Sequence, residues 1–318
     1  MSPSGDDLRW QLYMLARGSI FLLLLGVGCG QHPTASSESN PLRIVSLTPS
    51  LTRMIIDLGL GDAIVGVGSF ETRVPAHAKI ISHHPEIDIE SLLVLRPTHV
   101  FMLRQSAIPG TRLRLLAKKG RFCFQAYPYP VSIDQITLPL IGPLAEDETV
   151  LLGHALSRTK EAQQLAAAIK QQLEQLRDLT ATTSRPRVLM AFALDPIMAS
   201  GPGTVNDELL EIAGGVNAAA NATVSAPVYD RESLLAIVPD IILLLMPDAA
   251  PLTENDHRLA PLRGLPVPAV EQKCIVLIND PEVLLPGTQL PRIARQFVRA
   301  IHPELADQIQ PDGPEQAP

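Results

Sequence analysis

Apolar residues along this chain fall into two regimes. Short runs at 44–47, 64–67, 100–103, 122–125, 188–192, 241–245 and 275–278 read as strands, with amphipathic stretches between them. Strand and helix in alternation predict an α/β fold with mostly parallel sheets. Midway, residues 146–180 contain no proline and one glycine, Gly153, and carry Ala162, Leu165, Ile169, Leu173 and Leu176 at spacings of three and four. That spacing predicts one long helix, about 45 Å for about 30 residues. It would join an N-terminal lobe, 41–145, to a C-terminal lobe, 185–305, with 306–318 as a disordered tail.

The first residues follow another pattern. Arg9 and Arg17 precede an apolar run at 20–27, and small Gly28 stands directly before Cys29. Eight apolar residues are far short of the roughly 20 that span a bilayer as a helix, so residues 1–28 read as a secretory signal. Residues 29–40 are polar and aperiodic, as expected of a flexible tether.

The strongest internal signal is a repeat. Asp88-Ile89-Glu90-Ser91-Leu92-Leu93, followed by Pro97, matches Asp230-Arg231-Glu232-Ser233-Leu234-Leu235, followed by Pro239. Each copy predicts a capping aspartate, a short helix with glutamate in its first turn, a proline stop and a strand. A first-turn carboxylate stabilises a helix through its dipole by roughly 0.3–1 kcal/mol. A matched pair of surface anions, one per lobe, would equally suit a symmetric cationic partner.

Composition narrows the chemistry. The net charge is −7 and the tryptophan count is one. That tryptophan, Trp10, lies in the leader. No basic stripe suggests nucleic acid. Beyond Cys29 only Cys123 and Cys274 remain, on strand-like segments in different halves, and they read as separate buried thiols. Gly201-Pro202-Gly203-Thr204 lacks the Lys-Ser/Thr ending of a phosphate loop, and no Gly-x-Ser-x-Gly elbow occurs, so the chain is read as a non-enzyme.

The stretch from Arg43 through Thr52, then Leu58-Gly59-Leu60-Gly61-Asp62-Ala63-Ile64-Val65-Gly66-Val67, resembles the opening strand, helix and strand of periplasmic substrate-binding proteins of vitamin B12, haem and iron-siderophore ABC importers. Residues 90–101, 200–217 and 231–240 are similar to further elements of that family, in its order and spacing, over about residues 41 to 303. Gly26-Val27-Gly28-Cys29 is similar to a bacterial lipobox, with Gly26 where leucine is usual. The resemblance implies two Rossmann-like lobes joined by a rigid helix, a ligand cleft between them, small closure, and a lipid anchor on Cys29. It also implies docking to arginines of a permease dimer through Glu90 and Glu232. The ligand would be a metal chelate, corrinoid or haem-like molecule, with no intrinsic cofactor, and the protein an extracytoplasmic monomer held at a membrane.

Against corrin-binding members, Phe70 and Phe192 fall at aromatic pocket positions and Asp280 is kept, while Leu103 and Ala226 replace expected tryptophans. Leu284 and Leu285 stand in the region of an expected arginine. Tyr127 and Tyr129, set among prolines after a strand, are candidate ligand contacts, as are His83 and His84, whose imidazoles suit metals. Two alternatives remain open. A zinc- or manganese-type binding protein would need ligands such as His77, His83, His84, His99, His257 and Asp280 to converge from both lobes. An anchored protein that kept the fold without transport is the other.

Overall fold

The computed structural model describes residues 41–71, 73–83, 86–104, 110–128, 152–253 and 255–309. Cys29, the leader, the tether, His84 and Tyr129 lie outside them.

The N-terminal lobe follows the predicted alternation. Strand β1 (Ile44–Ser46) leads to α1 (Pro49–Asp57), whose proline sits in the first turn where no N–H is needed. Then come β2 (Ile64–Val67), β3 (Lys79–Ile80), a small hairpin of β4 (Ser82–His83) and β5 (Glu86–Ile87), α2 (Ile89–Val94), β6 (His99–Arg104), α3 (Gly110–Lys118) and β7 (Cys123–Pro128). The five-stranded sheet has order β3-β2-β1-β6-β7, and every pairing in it is parallel. The order reverses at β1/β6, so the crevice lies beyond the carboxyl ends of those two strands.

The linking helix is shorter than its sequence pattern predicts. Within the described residues it is a single turn, α4 (Leu152–Ala155), and then α5 (Thr159–Thr180). Ser157 between them has φ of 56°, a left-handed conformation that no continuous helix of L-residues accommodates. The 22 residues of α5 make a rod of about 33 Å.

The C-terminal lobe contains β8 (Arg187–Leu194), β9 (Ile197–Ala199), α6 (Val205–Ile212), β10 (Val216–Asn217), β11 (Val228–Tyr229), α7 (Arg231–Ile237), β12 (Ile241–Leu245), α8 (Pro268–Glu271), β13 (Ile275–Ile278) and α9 (Leu290–Ile301). Strands β10, β8, β12 and β13 pair in parallel, while β9 and β11 add an antiparallel edge. A 3₁₀ turn, Pro303–Gln308, follows α9, and Ile309 is only 6% exposed. The fold therefore extends past residue 305, and 306–309 belong to it because Ile309 joins the central core.

Side chains alternate between the sheet faces and divide the interior into three cores. Val45, Val100 and Met102 pack outward with Leu92 of α2 and Leu113 of α3. Leu189, Ile242 and Leu244 pack on the far side of the second sheet with Leu234 of α7. Between the sheets, Ile44, Phe101, Leu103, Val188, Met190, Leu243 and Leu245 share one continuous core with α1, α5, α6 and α9. The two lobes are thus fused through common apolar packing.

Candidate ligand cleft and docking surface

A cavity of about 410 Å³ opens on the C-terminal lobe, lined by Phe192 near the end of β8, by Ser200, Thr204 and Asn206 around the start of α6, by Ser225, and by Leu284, Leu285 and Pro286 after β13. Apart from Phe192, within β8, and Ser225, these segments follow a strand end or open a helix. The turn before α6 is shaped by two glycines: Gly203 has φ of 68°, and a Cβ on Gly201 would meet the Val224 carbonyl at 2.4 Å. Thr204 caps α6 by accepting from the Asp207 N–H at 3.2 Å, and Asp207 in turn accepts from Gly203 N–H and the Asn217 amide. The wall this presents is uncharged, combining apolar surface with hydroxyl and amide groups.

The expected pocket residues are distributed unevenly around this wall. Phe192 lines it. Phe70, on the loop beyond β2, is 77% exposed and held at φ of 65°, a costly conformation for a bulky residue. Tyr127 is not a cleft residue: it is 2% exposed, stacks on Phe101 at 6.4 Å and belongs to the central core, where burial pushes its phenol above the ordinary range. Leu103 is 1% exposed and also core. The backbone of His83 lies in the hairpin. Cys123 and Cys274 are free thiols, and Cys123 is exposed rather than buried, because it opens β7 at the sheet's amino edge.

Asp280 does not reach the cleft with a free carboxylate. It pairs with Arg292 and accepts from the Gln296 amide at 2.8 Å. Beside it Glu282, 2% exposed, receives Arg53 from α1 at 2.9 Å, Arg73 at 3.4 Å and Arg292 at 2.7 Å. Thr288 donates to Asp57 of α1. This polar seam ties the loop after β13 to the N-terminal lobe. Nothing in the local pattern announced it, because Arg53 and Glu282 are 229 residues apart.

Among the described residues no group of three His, Cys, Asp or Glu side chains could hold a metal ion. Among them, too, no helix is long and apolar enough to cross a membrane.

Glu90 and Glu232 occupy equivalent places. Each is exposed in the first turn of its helix, α2 or α7, behind an aspartate cap: Asp88 accepts from Ser91 N–H at 3.0 Å and Asp230 from Ser233 N–H at 2.8 Å. Both caps are held below the ordinary carboxylate value, chiefly by the serine hydroxyl and backbone N–H. Each helix starts beyond the carboxyl ends of its sheet and finishes at the amino end, where Arg43 of β1's approach reaches the Leu95 carbonyl and Arg187 of β8 the Ile237 carbonyl. Both glutamates therefore stand on the cleft side of their lobes.

Comparison with known proteins agrees with the fold. A vitamin B12-binding protein of Photorhabdus laumondii is 28% identical over 287 residues, covering 87% of this chain and 96% of its own. The periplasmic heme-binding protein RhuT from Roseiflexus superposes with a TM-score of 0.63 at 26% identity, over 82% of this chain and 99% of that one. A possible iron-binding periplasmic protein from Staphylococcus epidermidis gives a TM-score of 0.68 at 21% identity, over 82% and 98% of the two chains. Residues 44–281 match the family model described as periplasmic binding protein, and the chain belongs to that family of extracytoplasmic solute-binding proteins.

Proposed function

We propose that this protein is the lipid-anchored substrate-binding component of an ABC importer, a binder and not a catalyst. It captures a corrinoid, haem-like or iron-chelate ligand between its lobes and delivers it to a permease dimer through Glu90 and Glu232. The observation that carries this reading is the pair of exposed carboxylates at matching first-turn positions on the cleft side of both lobes. Two equivalent anions on one face complement a two-fold partner with one cation cluster per subunit, and such rim charges govern encounter more than ligand affinity. Ligands named for the relatives include vitamin B12, heme and iron. A cavity of this size, apolar with a few hydroxyl and amide groups, suits one face of such a molecule.

The test separates capture from delivery. Thermal-shift screening of the protein against corrinoids, haem and ferric siderophores should identify a stabilising ligand. The double variant Glu90→Ala/Glu232→Ala should bind it unchanged while uptake in cells falls at least about tenfold, the effect of losing two interfacial charges. Normal uptake by the double variant would sink the docking role. Silence from every ligand would sink the import reading.

A further inference from the structure

The outer face of the N-terminal lobe, where α3 packs beside α2 and ends at the base opposite the cleft, carries a feature that solute capture does not use. Helix α3 and the turn after it read Gly110-Thr-Arg112-Leu-Arg114-Leu115-Leu-Ala-Lys118-Lys119-Gly-Arg121, five cations and no acid, a local basic stripe that the net charge of −7 conceals and that overturns the expectation of none. Leu113 turns inward and is fully buried, while Leu115 points outward and is 56% exposed. Helical spacing places Arg112 and Lys119 on one flank of Leu115, and Arg114 and Lys118 on the other. Among the described residues none of the five cations has a carboxylate partner within ion-pair distance. The surface continues into a groove of about 650 Å³ lined by Leu93, Arg96, Pro97, Thr98, Arg121 and Cys123, again without an acid. Val94 beside it is 78% exposed.

We propose that this face is a contact surface for a bilayer rich in anionic phospholipid. A helix side presenting one aliphatic residue between rows of lysine and arginine suits a headgroup layer, where cations meet phosphates and the leucine enters the interface. The chain itself brings the face there. Arg43, where the described residues begin to form β1, donates its backbone N–H to Thr98 of the groove at 3.0 Å and its guanidinium to the Leu95 carbonyl at 2.9 Å. Cys29 is 14 residues upstream of Arg43, a contour of at most about 50 Å. The nearness of the membrane rests on the anchoring role proposed for Cys29; the charge match does not. Glu90 and the groove lie at opposite ends of α2, so contact through the groove leaves Glu90 clear of the bilayer.

The thiols report the contact directly. Cys123 lines the groove and Cys274 is half-buried in the other lobe as an internal reference. The processed protein is mixed with phosphatidylglycerol-containing or pure phosphatidylcholine vesicles, floated, and treated with a water-soluble maleimide. On anionic vesicles the Cys123-to-Cys274 labelling ratio should fall about tenfold or more, since each cation near such a surface counts. High salt should restore it. Arg112→Glu/Lys118→Glu should abolish the protection, whereas Lys160→Glu/Arg177→Glu, an equal charge change on α5, should not. Equal ratios on both vesicles, or protection that persists on phosphatidylcholine because a protein covers the groove, overturns the proposal. Failure to float on phosphatidylcholine sinks the anchor alone; flotation on anionic vesicles then still supports the basic face, and flotation on neither overturns both.

Discussion

Set side by side, the two copies of the repeat agree in more than sequence. Asp88 and Asp230 cap, Leu92 and Leu234 are fully buried, and Arg96 and Val238 each adopt a left-handed conformation before a proline, at φ of 46° and 44°. In each lobe an arginine entering the first strand closes the helix by donating to its last carbonyls. They differ in how polar groups are satisfied. Ser233 returns its hydroxyl to the Asp230 N–H, completing a capping box, whereas the Ser91 hydroxyl accepts from Lys79. Thr98 accepts from the Arg43 N–H and donates to the Arg43 carbonyl, while at the equivalent place Asp240 accepts from the Arg187 N–H. What the lobes share is the geometry that fixes the helix on the sheet; what varies is the local solution. Both glutamates belong to the shared part although neither is needed for packing, which is why they are read as functional.

The sharpest test of the shared part is truncation of its buried leucines. Leu92→Ala and Leu234→Ala should each cost about 2–5 kcal/mol, the transfer loss plus the cavity left behind. Urea unfolding monitored by circular dichroism would measure both. Similar losses confirm that the copies anchor their helices in the same way. A much smaller loss for Leu92 would mean that the outer core of the first lobe collapses around the gap and that its α2 is held mainly by polar contacts.

This shared geometry was legible in the sequence because it is local. Aspartate, glutamate, leucine and proline at fixed offsets announce a cap, a first turn, an inward face and a stop, and seven apolar runs announced strands of both sheets. The linking helix was overestimated since periodicity continues through 152–180, while the break at Ser157 is a backbone event that no apolar pattern records. The cleft was harder. Tyr127 carries the same proline-flanked signature as a loop aromatic, yet β7 runs three residues beyond the apolar run at 122–125 and draws the ring beneath Phe101. Asp280 was found but its partners were not, because Arg292 and Gln296 reach it from a helix whose packing is a tertiary fact.

Smaller effects should come from the polar substitutions. Thr98→Ala removes an acceptor and a donor and leaves the Arg43 N–H without its partner, at a cost of about 1–2 kcal/mol. Asp240→Ala removes one acceptor at a more exposed site and should cost about 0.5–1 kcal/mol. The order of the two unfolding midpoints is the result to watch: if Asp240→Ala costs more, the carboxylate and not the hydroxyl is the stronger strand-to-turn tie.

Replacing the residue of one lobe by that of the other gives the finest test, through His99. Its imidazole is half-buried, stacks on Phe101 at 5.9 Å and shares a 3.0 Å hydrogen bond with the Thr98 hydroxyl. Burial holds it below the ordinary value of 6.5. A base whose folded value is depressed takes up a proton more readily when unfolded, so the native state loses stability as pH falls below 6.5. Thr98→Asp places a carboxylate against that ring and favours the imidazolium, raising the folded value. The contribution of His99 would then be present in acid and lost as pH rises through the raised value. Unfolding free energies at about pH 7.5 and about pH 5.5, either side of the imidazole range, should therefore diverge: the variant should lose less stability than the parent on acidification. Parallel losses in both proteins would show that His99 does not titrate in this window, and that the two lobes tolerate either partner without electrostatic consequence.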